Sequence, residues 1–325
     1  MQRIVWIDWA KAILIFLMVL GHNFPVRWQY DIIYAFHMPA FFIISGYLYH
    51  QHSWKRTLKS FGIPVMAFSL LNLAIYMLPK ILRGKMDFSD LAARILLPFI
   101  GGYVPEHLDY IFVFPGVWFI IVLLLGRFLM GDVKIFSFIP KYVKYSLPLL
   151  CLFLVVEPFI FPNDSLAVYK PYLVVSCLPF MLFGYLMAKY EMANKFKLPL
   201  VAFLVVFLPV TFIQGSCSIL NYKFGYSYIL FFFNAILGSI ILFTLCAKFS
   251  RPNRMIEIFS KGTILILAFN FNLKDFCSIL FNKLGLGSFT EDTNVYPWIV
   301  SILTMAICYY PIKWLLAHHP ILLGK

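Results

Sequence analysis

The stretch DWAKAILIFLMVLGH, Asp8 to His22, forms most of an apolar run from about residue 4 to 22 and carries three ionisable side chains inside it. About 20 mostly apolar residues cross a bilayer as a helix, so the run is a membrane span. Asp8 and Lys11 lie within it and no small-residue cleavage pattern precedes His22, so it reads as a retained helix and not as a removable signal. At 100° per residue, Lys11 and His22 fall within about 20° of each other and Asp8 and His22 within about 40°. Acid, amine and imidazole therefore share one face. Asp8 and Lys11, spaced i, i+3, are expected to pair and so lower the cost of burying each charge. His22 lies about 16 Å farther along the axis. Ionisable groups inside a membrane are costly and usually face the protein interior, which makes this face a candidate site. The plain alternative is a snorkelling lysine with an interfacial histidine.

Outward from that run the same solvent logic holds. Of the 325 residues, 62% are hydrophobic and 13% charged, against about 25% charged in soluble domains, so a soluble globular protein is excluded. Apolar spans lie near 4–22, 34–49, 61–79, 115–130, 145–161, 171–188, 198–214, 228–247, 262–281 and 298–317. The fold class expected is all-α and polytopic, with about ten transmembrane helices in a single domain over residues 1–325. Most of the 27 Lys and Arg fall on one side if the N-terminus is cytoplasmic, which puts both termini there. The opposite side holds a long segment near 80–114, read as an interfacial helix and a turn at Gly101–Pro105 that could cover an outward site. The net charge of +13 is spread over alternate loops and no stretch suits a phosphate backbone, so nucleic acid is not an expected partner. Six cysteines without C-x-x-C spacing read as small buried hydrophobes, and no metal is expected.

The second span, FHMPAFFIISGYL from Phe36 to Leu48, opens with His37 just before Met38 and Pro39. Proline is tolerated in a first helical turn, so His37 is expected near the start of that helix. His22 and His37 then meet at the same end of two antiparallel helices and suggest proton-transfer chemistry. Ser45 and Gly46 read as packing residues.

These runs, with the basic segment after them, resemble the start of the acyltransferase family 3 membrane proteins. FPGVWF (Phe114–Phe119), LPFMLFGYLMAK (Leu178–Lys189) and SKGTILILAFN (Ser260–Asn270) are similar to later parts of that family. The resemblance implies transfer of an acyl group, usually acetyl, from cytoplasmic acyl-CoA to a hydroxyl on a carbohydrate or lipid-linked glycan, in the inner membrane of a bacterium. It makes His22, eleven residues after Lys11, the implied catalytic histidine. It also implicates Arg56 and Lys59, a basic pair three apart in the loop after the second span, in handling the donor. Where related sequences often carry a histidine, this chain has Asn270.

The resulting expectation is an integral membrane O-acyltransferase with acetyl-CoA as co-substrate. The donor arm would pass Asp8 and Lys11 to reach His22, and His37 would orient the acceptor or stabilise charge on the thioester oxygen. Trp118, Glu106 and Asn270 are candidate substrate contacts. His22 could act as a base or as a transient acyl carrier, and the sequence leaves both open. Two other classes fit the same residues. One is a proton-coupled transporter using them as a relay, against which the lack of internal repeats argues. The other is a non-catalytic acyltransferase-like protein.

Overall fold

The computed structural model describes residues 3–84, 116–132, 173–191, 201, 203–249 and 251–325. Their helices are α1 (Val5–His22), α2 (Arg27–Tyr47), α3 (Trp54–Leu82), α4 (Val117–Arg127), α5 (Leu173–Lys189), α6 (Leu208–Gln214), α7 (Tyr228–Phe249), α8 (Arg254–Lys261), α9 (Thr263–Lys283) and α10 (Tyr296–His318). A two-residue antiparallel ladder, Cys217–Ser218 against Lys223–Phe224, is a small departure from an all-helical chain. Among the described residues five stretches are long and apolar enough to cross a membrane: Val5–His22, Trp54–Ile75, Tyr228–Lys248, Thr263–Lys283 and Tyr296–His318. Leu173–Lys189 and Phe203–Gln214 are apolar but shorter. The expected span at 145–161 and most of the segment near 80–114 lie outside the described residues.

Helix α1 is the hub. It touches α2, α7, α8, α9 and α10, and its Leu14, Met18 and Leu20 are among the most completely buried large side chains. Lipid tails give little hydrophobic drive to join helices, so intimacy between backbones matters more. It is greatest between α2 and α5. A Cβ on Gly46 would lie 1.8 Å from the Met181 carbonyl oxygen, and one on Gly184 would lie 1.9 Å from that of Ile43. Gly46 is thus the packing residue it was expected to be. The five described cysteines, Cys177, Cys217, Cys246, Cys277 and Cys308, are all buried, as small hydrophobes would be.

Three local expectations are corrected. Helix α2 begins at Arg27, so His37 and Pro39 sit in mid-helix and not at its start. Polar Arg27, Gln29 and Asp31 hid those first turns from a hydropathy reading. Arg56 and Lys59 occupy the opening turns of α3 and not a loop, because Ser53 caps that helix by accepting from the Arg56 amide at 3.4 Å. Basic residues 254–261, also read as a connection, form α8, whose Asn253 accepts from the amides of Met255 and Ile256.

Candidate active site

Antiparallel packing of α1 on α2 sets the register of the site. Gly21 lies against Ile33 and Tyr34, where a Cβ would come within 2.9 Å of the tyrosine ring. Helix α2 therefore overshoots the end of α1, and His37 is level with the end of α1 although it is mid-helix. Farther along the same seam, a cavity of about 300 Å³ opens between α1, α2, α3, α4 and α9. Lys11, Ile15 and Met18 contribute one wall, spaced i, i+4, i+7 on α1. Met38, Phe41, Ile44 and Ser45 supply the wall from α2. His22 is the next position on the α1 face, but it does not line the cavity. The space ends one turn short of it, at Met18 and Met38.

Cations gather at the other end, where Lys11, Arg127, Lys261 and Lys325 all line the cavity. The Lys261 ammonium pairs with Glu257 at 2.6 Å. Arg127 pairs with Asp132 at 3.1 Å. Asp132, buried, also accepts from Thr57 Oγ1 at 2.5 Å and from the His52 amide at 2.9 Å. Arg127 donates to the His50 carbonyl at 2.9 Å, so one buried carboxylate ties the α2–α3 connection to the end of α4. Loss of water, then the charges of Arg56 and Arg127, hold the His52 imidazole below its ordinary pKa.

The expected Asp8–Lys11 pair is not formed. Asp8 Oδ2 accepts from Arg3 at 2.6 Å, and Oδ1 accepts from Ser260 Oγ at 2.7 Å. Arg3 also reaches Glu257 at 2.9 Å. Trp9 donates to the Arg251 carbonyl at 2.8 Å. A flexible arginine at the helix start and a hydroxyl from α8 thus satisfy the carboxylate, and Lys11 faces the cavity.

At the far end α9 grips His22 from three sides. Asn270 Oδ1 lies 3.1 Å from His22 Nδ1. The Phe271 ring sits 4.8 Å from the imidazole, tilted by 34°. Lys274 Nζ donates to the His22 carbonyl at 3.1 Å, satisfying one of the open carbonyls that end a helix. His37 is buried, and its Nδ1–H donates to the Ile33 carbonyl at 2.7 Å, which leaves Nε2 as the free acceptor. Tyr34 packs on it edge to face at 4.9 Å and stacks on Tyr30 at 3.9 Å.

Among the described residues proposed from sequence for catalysis or for binding donor or acceptor, Lys11 alone lines the cavity; Ser45, read as a packing residue, lines it as well. His22 and Asn270 are bonded to each other, and His37 lies level with them. Arg56 and Lys59 are exposed and Trp118 is buried beside Phe119, which does line the cavity. Glu106 lies outside the described residues. Sequence reasoning passed over Lys274, Asp132 and Lys261. Lys274, a cation within an apolar span, carried a usable signal; the other two show their part only through partners distant in sequence.

A family model described as an acyltransferase domain matches residues 4–313, nearly the whole chain. No curated protein and no solved structure matches the chain significantly.

Proposed function

The chain belongs to acyltransferase family 3, and on that premise we propose that it moves an acetyl group from acetyl-CoA to a hydroxyl of an extracytoplasmic carbohydrate or glycan. In this reading it sits in the bacterial cytoplasmic membrane with about ten crossings and both termini inside. The Lys11 end of the cavity is then the donor side, and the His22 end faces the acceptor.

One observation carries the reading: the cavity climbs the same α1 face that joins Lys11 to His22, reaching Met18 about 10 Å above Lys11 at 1.5 Å per residue. Its mouth offers ammonium and guanidinium groups suited to the phosphates of CoA, and its walls are otherwise largely apolar. A slender thioester arm entering there points at His22. The His22 ring takes the proton of the acceptor hydroxyl, whose oxygen attacks the thioester carbon. The C–S bond breaks, and the proton passes to the departing thiolate. Acyl transfer through the imidazole itself is the other route, and it uses the same geometry.

The test is release of free CoA from acetyl-CoA by purified protein in lipid, alone and with added glycans. His22→Ala is expected to abolish release while CoA binding persists, and Lys11→Ala to raise KM for the donor by about tenfold, the loss of one charge-assisted contact of about 1.5 kcal/mol. Full turnover in His22→Ala would remove this histidine from the reaction.

A further inference from the structure

Resting on the reading of His22 as the reacting base, we propose that Asn270 is a positioning residue that dictates which nitrogen of the His22 ring carries the proton.

Donors and acceptors decide the tautomer. Asn270 is buried on α9, and its Nδ2 donates to the Leu267 carbonyl at 2.6 Å. A carbonyl only accepts, so the amide nitrogen must occupy that side and Oδ1 must face the other way. Facing the other way, Oδ1 meets His22 Nδ1 at 3.1 Å. An amide oxygen also only accepts, so Nδ1 carries the hydrogen. A neutral imidazole has one N–H, which leaves the lone pair on Nε2. The opposite tautomer would require the amide to turn over, bringing Oδ1 against the Leu267 oxygen and stranding two acceptors in a buried place. The polarity of a backbone carbonyl on α9 is thus relayed through one carboxamide to the ring on α1. Phe271 limits the tilt of that ring and Lys274 fixes its backbone, so orientation and tautomer are set from a single helix.

In the reaction, Nε2 receives the proton of the acceptor hydroxyl and later returns it to the CoA thiolate, while Nδ1–H stays on Asn270 throughout. A histidine at position 270 would accept or donate according to its own tautomer; asparagine held by Leu267 has one setting.

The experiment is nitrogen NMR of protein carrying ¹⁵N-labelled histidine in lipid nanodiscs, with the His22 signals assigned by difference against His22→Gln. Wild-type His22 is expected to be protonated at Nδ1. Asn270→Ala should release the preference toward Nε2–H and lower kcat about 100-fold, the lower end of what a general base contributes, with KM for acetyl-CoA unchanged. Asn270→Asp, which can still accept from Nδ1–H but turns a second oxygen to the Leu267 carbonyl, should keep the wild-type tautomer and recover only part of kcat. Nε2–H in the wild type, or an unchanged ring signal and kcat in Asn270→Ala, overturns the proposal, and the first of these needs no variant of position 270 to fold. Transfer surviving in His22→Ala overturns the catalytic reading alone, because the ring signal reports the tautomer without turnover.

Discussion

Replacing Gly184 by alanine should pull the α2–α5 seam apart. The new Cβ would lie 1.9 Å from the Ile43 oxygen, 2.7 Å from its carbon and 2.9 Å from the Tyr47 nitrogen, and ordinary contact begins at 3.4 Å. The helices would have to part by about 1.5 Å. Every obstructing atom is backbone, so no rotamer change relieves the clash, and the cost should sit at the upper end of the 1–3 kcal/mol typical of overpacking. Gly62, in α3, supplies the control, since a Cβ there meets nothing within 4 Å. Gly62→Ala should stabilise by about 0.5–1 kcal/mol through helix propensity. The assay is thermal unfolding of both variants in one detergent, followed by fluorescence of the purified protein. Gly184→Ala should lower the midpoint and Gly62→Ala raise it or leave it in place. Because α2 also supplies the Met38, Phe41, Ile44 and Ser45 wall, Gly184→Ala should further weaken binding of acetyl-CoA. A Gly184→Ala protein as stable as wild type would refute the claim that these backbones touch.

Asp132→Ala leaves half-buried Arg127 without its carboxylate and removes the buried acceptor of Thr57 and the His52 amide, so it should cost about 3 kcal/mol, read as a large fall in the same unfolding midpoint. Asp132→Asn, which keeps part of that hydrogen bonding, should fall between. Lys274→Met removes the cation from the end of α1 while keeping its apolar length, and it should cost about 0.5–1 kcal/mol in thermal unfolding. It should also broaden the His22 ring signal, whose backbone anchor is lost.

Most of the helices were legible because lipid imposes a length and a composition on anything that crosses it. Val5–His22, Tyr228–Phe249, Thr263–Lys283 and Tyr296–His318 all fall within a few residues of the spans read from hydropathy. The same measure failed wherever a helix leaves the apolar layer or lies along it: the polar first turns of α2, the capped start of α3 and the short amphipathic α8. Intrahelical geometry could place Asp8, Lys11 and His22 on one face, but not choose their partners. Asp8 is answered by Arg3 and by Ser260, 252 residues away, and His22 by Asn270, 248 residues away. A side chain's choice among distant partners is decided by packing. Asn270 stood out in the sequence as a substitution, yet its meaning depends on the Leu267 carbonyl behind it, which no reading of residue types supplies.

Helices α8 and α9 are separated by Gly262 alone. Together they fasten both extremities of α1, through Ser260 near its beginning and Asn270 and Lys274 at its finish. This makes α1 and the 254–283 arm a splint, unable to slide past one another without breaking bonds at two stations some 20 Å apart by helical rise. The cavity between those stations is therefore framed, along its Lys11, Ile15 and Met18 side and its Thr263, Ile264 and Leu267 side, by two helices that are tied to each other.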